Sequence, residues 1–222
     1  MDKLWQHHFK YYDLFQNNSD NYRETIRLHL RRLESSKKVL DTGAGSGNLT
    51  FELLKQGKEV TAIDSNEYSL ELLKEKCKDY DEKLTILNMD VQKLDLGNSE
   101  FNGASSMFVI PFIESNIKYF SEVYRVLKNG AKFTISAWAP VPDSLQGLVE
   151  PLKKELEQKG LLPKYEKEWN HIQKSDKFHI KQVERGSNFT ELKMMLKDVG
   201  FKNIEELENP YGKYVYFLTC EK

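Results

Sequence analysis

Three glycines and three aspartates are the residues whose types and spacing are best suited to ligand chemistry. Gly43, Gly45 and Gly47 follow a short apolar segment and come directly before a helical pattern. Because glycine lacks a Cβ atom, such a turn brings the backbone close to a ligand, and the following helix offers its positive amino end. Carboxylates lie at or shortly after the ends of the first three predicted strands, at Asp41, Asp64 and Asp90. This ordered set is typical of a pocket for an adenine nucleoside.

The spacing of these groups also indicates which ligand fits. Asp64 ends the second strand, where a carboxylate accepts hydrogen bonds from ribose hydroxyls, and Asp90 is placed to meet a purine edge. A dinucleotide fingerprint needs glycine at the sixth position of its turn, which is Asn48 here. Asp41, directly before the turn, would repel a pyrophosphate but attract an ammonium or sulfonium group. The pattern therefore favours a cationic ligand over NAD.

Strand and helix patterns alternate along the chain, which predicts an α/β fold. Predicted strands cover residues 38–41, 60–63, 84–87, 104–110, 132–138, 204–207 and 213–220. Two amphipathic helices are predicted within the first 34 residues, and a capping box at Asn21 and Glu24 is expected to start the second. Gly130 and Gly200 are expected to end two later helices in the left-handed conformation, and Pro111 to stop the fourth strand.

The last third of the chain has two parts. Residues 139–189 carry one amphipathic helix and then a polar stretch, and they are interpreted as an insertion rather than as sheet. The final two strands are joined by residues 209–212, whose composition suits a turn. This hairpin connection predicts that one of the two strands is antiparallel to the rest of the sheet.

Composition and charge restrict the possible partners. The 222 residues include 33 Lys and Arg against 34 Asp and Glu, so a net charge of −1 disfavours nucleic acid as a partner. The longest apolar stretch is about half a membrane span, and the amino end has no signal-peptide core, so a cytoplasmic protein without a membrane partner is expected. Cys77 and Cys220 have no metal-ligand spacing, so we expect two buried thiols and no metal site.

Four segments resemble motifs of the class I S-adenosylmethionine-dependent methyltransferases, in that family's order. Residues 39–47 resemble the first motif, 62–65 the second and 88–91 the third. Residues 124–130 are similar to the family's RVLKPGG segment, with Asn129 in place of the proline. The resemblance implies a Rossmann-like, doubly wound, seven-stranded sheet, mostly parallel with an antiparallel C-terminal strand. It also implies S-adenosylmethionine as cofactor and S-adenosylhomocysteine as product.

The resemblance further implies which residues bind the cofactor. Loop and strand-end residues would contact its methionine part, ribose and adenine, while Tyr12 would close over it from the amino-terminal helix. Those expected at the methionine part are Asp41, Gly43, Ala44, Gly45, Met107 and Phe108. Those expected at the ribose and adenine are Asp64, Ser65, Asp90 and Val91.

The chain departs from many small-molecule members of that family after the fourth strand. Asn102 stands where an acid is usual, and Pro111 and Phe112 replace a pair of histidines. No Asn-Pro-Pro-Tyr motif occurs, which weakens an assignment to adenine-amino or glutamine-amide methylation. These departures predict an apolar site mouth. The aromatic wall predicted for an apolar or cationic acceptor consists of Tyr11, Phe112, Trp138 and Trp169.

A single methyltransferase domain is expected over residues 1–222. Its parts would be an amino-terminal helical cap (1–36), a cofactor-binding half (37–138), a lid insertion (139–189) and a segment that completes the sheet (190–222). In this topology the cap and the lid would cover the cofactor edge and select the substrate. No catalytic residue is assigned. The possible proton acceptors are His7, His8, His29, His171 and His179.

The predicted function is methyl transfer from S-adenosylmethionine to an N or O nucleophile of a small molecule, by in-line displacement at the sulfonium methyl. A monomer or homodimer is expected. A methyltransferase acting on RNA or protein remains an alternative, with a basic patch at Lys153, Lys154, Lys164 and Lys167 as its sequence signal. A non-catalytic protein that binds the cofactor is a second alternative, and an NAD-dependent enzyme is the most distant one.

Overall fold

Seven strands form one mixed sheet in the structure, a computed structural model that describes residues 11–141, 143–173 and 186–222. The strands are β1 (Lys38–Thr42), β2 (Glu59–Asp64), β3 (Leu84–Asn88), β4 (Phe101–Met107), β5 (Leu127–Trp138), β6 (Lys202–Leu207) and β7 (Val215–Glu221). Their order in the sheet is β3-β2-β1-β4-β5-β7-β6. The pairs among β1 to β5 are parallel, whereas β7 is antiparallel to β5 and β6. The predicted doubly wound sheet with an antiparallel C-terminal strand is confirmed.

Helices lie on both sides of this sheet. They are α1 (residues 11–16), α2 (Asp20–Arg32), α3 (Asn48–Lys55), α4 (Glu67–Lys76), α5 (Asn116–Val126), α6 (Ser144–Gln158), α7 (Leu161–Lys164), α8 (residues 166–173) and α9 (Phe189–Val199). No helix in these described ranges combines the length and the apolar character that a membrane crossing requires. Trp5 and Phe9, which contribute to the predicted first helix, lie outside the described residues.

Two buried clusters, one on each face, hold the helices against the sheet. On one face, Tyr119 and Phe120 of α5 and Leu196 of α9 belong to the same cluster as Leu40 of β1. On the other face, α2, α3 and α4 pack in a cluster that contains Val39, the preceding residue of β1. Successive residues of a strand face opposite sides of the sheet, so Val39 and Leu40, although adjacent in β1, are buried in different clusters. Cys77 and Cys220 are buried and unlinked, as predicted.

The fourth strand ends at Met107, three residues before its predicted end at Ile110. Phe108 adopts a φ of +62°, a left-handed conformation that interrupts the extended backbone, and a 3₁₀ turn follows at Ile110–Phe112. Pro111 lies inside that turn, where its fixed φ is tolerated. The prediction that Pro111 stops the strand is therefore wrong.

The amino end of α2 also differs from the prediction. The helix begins after Ser19, whose hydroxyl oxygen accepts a hydrogen bond from the backbone N–H of Tyr22 at 3.3 Å. Asn21 already lies inside the helix, so the predicted capping box with Glu24 is wrong. The turn that follows α1 places Ser19 in an extended conformation, which is the conformation that a helix cap requires.

Of the two glycines predicted to end helices, one does so. Gly200 caps α9 in the left-handed conformation, with a φ of +115°. Gly130 has a φ of +75° but belongs to β5, because α5 already ends at Val126. Its backbone N–H donates to the carbonyl of Lys222 at 2.8 Å, so this glycine helps to start the pairing of β5 with the end of the chain.

Within residues 139–189, the described positions (139–141, 143–173 and 186–189) form helices and no strand, as predicted for that part of the segment. α6 covers the predicted helix, while α7 and α8 extend helical structure to residue 173, where the polar pattern gave no prediction. A third buried cluster joins these helices to α1. This cap cluster consists of Phe15, Leu156, Leu162, Trp169 and Ile172.

A buried lysine ties the end of α2 to the sheet. Lys58 is 6% exposed, and its Nζ donates to the backbone carbonyls of Leu33, Glu34 and Ser36 at 2.8 to 2.9 Å. These carbonyls lie at or just beyond the end of α2, where helix geometry leaves acceptors without partners inside the helix. Burial lowers the pKa of this ammonium group, and the three carbonyl oxygens offset part of its desolvation.

Replacing this lysine by methionine is expected to lower the free energy of unfolding by roughly 2–3 kcal/mol, because buried carbonyl oxygens lose a charged donor. Urea denaturation of Lys58→Met, followed by circular dichroism, measures the loss. Lys55→Met is the matched control, since Lys55 is exposed and pairs with Glu52 on its own helix. A change below about 0.5 kcal/mol is expected there. Equal effects of the two substitutions would contradict the role given to Lys58.

Candidate active site

A cavity of about 590 Å³ opens at the carboxyl edge of the sheet, where the strand order reverses between β1 and β4. Ligands of open α/β sheets bind at such switch points, and small-molecule sites have volumes of about 300–1,000 Å³. All eleven residues predicted to bind a cofactor line it: Tyr12, Asp41, Gly43, Ala44, Gly45, Asp64, Ser65, Asp90, Val91, Met107 and Phe108. Two of the four predicted acceptor residues, Phe112 and Trp138, line it as well.

The glycine turn after β1 forms the floor of the cavity. Gly43 has a φ of +65°, and a Cβ atom there would approach the Val109 side chain to 2.4 Å, so packing excludes any larger residue. Gly45 has a φ of +55°, and a Cβ atom there would meet nothing within 4 Å. The backbone of Gly45 therefore borders open space within the cavity. Ala44 fixes the turn to the neighbouring strand, since its N–H donates to the Ile63 carbonyl at 2.8 Å.

Asp41 contributes a buried carboxylate beneath this turn. The residue is 2% exposed; one carboxylate oxygen accepts from the Thr50 hydroxyl at 2.6 Å and the other from the Ser105 hydroxyl at 2.8 Å. Burial raises the pKa of this carboxyl to about 6, although both hydrogen bonds act in the opposite direction. At neutral pH the group is therefore mainly ionised, and its charge lies in a medium that screens it weakly.

Asp64 connects the glycine turn to the next loop. One of its carboxylate oxygens accepts from the N–H of Gly45 and the other from the N–H of Asn66, both at 2.9 Å. Burial raises the pKa of this carboxyl above its ordinary value. Asp90 is exposed at the rim, where its carboxylate accepts from the backbone N–H of Gln92 at 2.8 Å.

The charged side chains of the cavity wall are acidic throughout the described residues. They are the three aspartates at positions 41, 64 and 90, and no Lys, Arg or His side chain is part of the described lining. A recess that carries one sign of charge attracts ligands of the opposite sign. The cavity therefore suits a ligand with sulfonium and ammonium groups better than it suits a pyrophosphate.

The opposite wall is aromatic, as the predicted apolar mouth requires. The Phe108 ring is stacked with Tyr22 at a centroid distance of 6.2 Å and with Trp138 at 5.8 Å. Its backbone N–H donates to the Ser136 carbonyl at 2.8 Å, which holds the left-handed conformation in place. Phe112 meets the Trp138 ring edge-on at 6.1 Å and is 47% exposed.

Two predicted acceptor residues lie elsewhere. Trp169 is 5% exposed and packs edge-on against Phe15 in the cap cluster, and the Tyr11 ring packs against His171 at 5.3 Å. Neither lines the cavity, so this part of the predicted wall is wrong. Adjacent residues of a helix point about 100° apart, which explains why Tyr12 reaches the cavity while Tyr11 faces the insertion.

The cavity also contains residues that were not predicted. Most are sequence neighbours of predicted ones, so extending each motif by one or two positions would have found them: Ser46, Asn48, Leu49, Asn66, Met89, Gln92, Val109 and Ile113. Tyr22 is different, because it reaches the site only through the packing of α2. It ties α2 to α3, since its hydroxyl accepts from the Asn48 side chain at 3.2 Å.

Neither of the two histidines that the structure describes, His29 and His171, lines this cavity. His29 is buried on α2, and its ring nitrogens hydrogen-bond the Thr134 and Ser136 hydroxyls at 2.7 and 3.0 Å. Burial lowers its pKa to about 3. His171 packs against Tyr11, as described above. His7, His8 and His179 lie outside the described residues.

Comparisons with known proteins agree with this geometry. A family model described as a methyltransferase domain matches residues 39–130. The ubiquinone/menaquinone biosynthesis C-methyltransferase UbiE of Zymomonas mobilis is 27% identical over 178 residues, which make up 80% of this chain and 72% of that protein.

Two solved structures have the same fold. The PH0226 protein of Pyrococcus horikoshii has a TM-score of 0.70 at 20% identity, with 96% of this chain and 97% of that chain covered. The 1,6-didemethyltoxoflavin-N1-methyltransferase of Burkholderia thailandensis, solved with 1,6-didemethyltoxoflavin and S-adenosylhomocysteine bound, has a TM-score of 0.61 at 19% identity. The match covers 90% of this chain and 77% of that one.

The sheet order, the cavity at its switch point and the methyltransferase-domain match place the chain among the class I S-adenosylmethionine-dependent methyltransferases. It is an enzyme of this class, and S-adenosylmethionine is its cofactor. The residues present fit that cofactor. Gly45 leaves a surface that a Cβ atom would fill, and the wall offers carboxylates for hydroxyl and ammonium groups without a competing basic side chain in the described lining.

The raised pKa of Asp41 predicts a pH-dependent stability. Between about pH 4 and 6 the folded protein binds more protons at this group than the unfolded chain, so its contribution to stability falls as the pH rises through that window. The change amounts to about 3 kcal/mol, and Asp41→Asn should remove it. Urea denaturation in a series of buffers measures the slope. Asp81→Asn, at an exposed position, controls for the loss of one carboxylate. A slope in Asp41→Asn that is as steep as that of the wild type would contradict this origin.

Proposed function

We propose that the protein transfers a methyl group from S-adenosylmethionine to an N or O nucleophile of a small apolar or cationic acceptor. The observation that carries this proposal is the division of one cavity into a glycine and carboxylate wall and an aromatic wall. The first suits a charged nucleoside, and the second suits the flat or cationic surface of an acceptor. The relatives named above support a small acceptor, since one is named for ubiquinone and menaquinone biosynthesis and another was solved with 1,6-didemethyltoxoflavin bound.

In this proposal the residues around the glycine turn hold the cofactor. The backbone of Gly43, Ala44 and Gly45 lines its methionine part, and Asp41 attracts its ammonium group. Asp64 accepts hydrogen bonds from the ribose hydroxyls. This role is compatible with its observed N–H donors, because a carboxylate has about four acceptor positions and two are used by Gly45 and Asn66.

The adenine would lie between the ends of β2 and β3. Ser65 borders it on one side, Asp90 accepts from its amino group, and the Val91 backbone meets the ring. Met107 and Phe108 contribute backbone contacts to the methionine part, and Tyr12 covers the cofactor from α1. All of these residues line the same cavity, which supports the set as a whole.

The chemistry required of the protein side chains is modest. When bound, S-adenosylmethionine supplies a methyl group on a sulfonium leaving group. The chain must align the acceptor and exclude water, and the aromatic wall of Phe108, Phe112 and Trp138 is suited to both tasks. We assign no general base. The helical cap and the insertion are proposed to complete the cover over the acceptor.

Cofactor binding is tested at Asp64. Asp64→Asn removes the charge and one acceptor, so the dissociation constant for S-adenosylhomocysteine should rise roughly 10- to 100-fold in isothermal titration. Asp95→Asn, an exposed aspartate outside the described lining, should bind like the wild type. Thermal melting checks that both variants are folded. Wild-type affinity in Asp64→Asn would contradict the role given to this carboxylate.

The acceptor is tested with S-adenosylmethionine labelled with ¹³C at the methyl group. The enzyme is incubated with a panel of phenols, quinols, aromatic amines and aliphatic amines, and the ¹³C shift of the product identifies the methylated atom. A methyl group on N or O is expected. A methyl group on carbon would overturn that choice of nucleophile. Methylation of added RNA that falls steeply with salt would overturn the small acceptor. Cofactor binding without S-adenosylhomocysteine production from any acceptor would overturn catalysis.

A further inference from the structure

Asp13 on α1 joins three separate elements beside the cavity. One of its carboxylate oxygens accepts from the Ser46 hydroxyl and from the Asn48 side-chain amide, the latter at 2.9 Å. The other accepts from the Nζ of Lys76, the last residue of α4, at 2.6 Å. Lys76 also donates to the side-chain carbonyl of Asn48, which closes a ring of polar contacts.

This contact is largely withdrawn from water. The Asp13 side chain is 16% exposed and that of Lys76 is 23% exposed, so their attraction is screened less than that of a surface pair. The carboxylate also lies at the amino end of α3, where Gly47 provides no side-chain cap. A negative charge is favourable at this position because the first N–H groups of a helix carry partial positive charge.

The neighbours of Asp13 connect its polar contacts to the cavity and to the cap cluster. Tyr12 lines the cavity, while Phe15 is buried in the cap cluster with helices of the insertion. Ser46 and Asn48 line the cavity as well. α1 is thus attached to the glycine turn on one side and to the insertion on the other, with Tyr12 in between.

We propose that Asp13 is a positioning residue that holds α1 closed against the glycine turn, and that its contact with Lys76 sets how fast the cofactor enters and leaves. The inference rests on the proposed cofactor site. Asp13 does not line the described cavity, so it acts through Tyr12 and the turn. Without its contacts, α1 opens more often with or without ligand. Entry and exit should then both accelerate, while the affinity changes little.

Stopped-flow fluorescence with S-adenosylhomocysteine tests this, because Trp138 lines the cavity and reports on its occupancy. In Asp13→Asn and Lys76→Met, both rate constants should rise at least about tenfold, the effect expected from losing a charge-assisted hydrogen bond. The dissociation constant should change less than about threefold, because both rates change together. The double variant should resemble the single ones, since both substitutions remove the same contact.

Lys78→Met provides the matched control, because Lys78 forms an exposed ion pair with Glu75 and lies outside the described lining. Hydrogen exchange of the free protein gives a second measurement that needs no cofactor. The amides of residues 11–16 should exchange faster in the Asp13 and Lys76 variants than in the control. Unchanged exchange there overturns the positioning role.

The kinetic outcomes separate this inference from the proposed function. A wild type that binds no S-adenosylhomocysteine overturns both. Binding with unchanged rates in folded variants overturns the inference alone. A dissociation constant that rises in proportion to the exit rate, with an unchanged entry rate, also overturns it, because that result means that Asp13 contributes directly to binding.

Discussion

The desolvated carboxylate of Asp41 is the constraint on which the site depends. Its two oxygens accept hydrogen bonds from Thr50 on α3 and Ser105 on β4, so one charge links a helix and two adjacent strands where the strand order reverses. The neighbouring Thr42 adds a second link, since its hydroxyl donates to the Ser105 carbonyl and hydrogen-bonds Tyr119 of α5. Burying a carboxylate is unfavourable, and two hydroxyl donors compensate only in part. The part of the desolvation cost that these donors do not offset remains at Asp41, where a cationic ligand can pair with the carboxylate.

Much of the fold was predictable because its signals are local. The short apolar runs of β1, β2 and β3 and the glycine turn are set by neighbouring residues, and the structure places these strands within about one residue of the prediction. The acidic wall was predictable for the same reason, since parallel strands bring their carboxyl ends to one edge. The early end of β4 was not predictable, because Phe108 adopts a left-handed conformation that is stabilised by ring packing and by the hydrogen bond to Ser136. The cap at Ser19 was missed because the competing Asn21 pattern is equally local.

The two walls of the cavity differ in how they are assembled. The acidic wall consists of aspartates at or just after the carboxyl ends of β1, β2 and β3, which are consecutive strands along the chain. The aromatic wall combines Tyr22 of α2, Phe108 after β4 and Trp138 of β5, which come from three elements that are far apart in the sequence. A non-glycine residue at positive φ costs about 1–2 kcal/mol, and here the stacked rings and the hydrogen bond to Ser136 offset that strain. This wall therefore depends on long-range packing, which periodicity cannot reveal.

The different directions of Tyr11 and Tyr12 on α1, about 100° apart, have a consequence for how this protein could diversify. One helix serves both as part of the cavity wall and as a partner of the cap cluster. A substitution at Leu156 or Ile172, remote from any ligand, would shift α1 and with it the wall at Tyr12. Selectivity could thus be retuned by repacking an apolar cluster, while the glycine turn and its carboxylates remain unaltered. Through this helix, the packing of the cap cluster and the shape of the cavity wall at Tyr12 depend on each other.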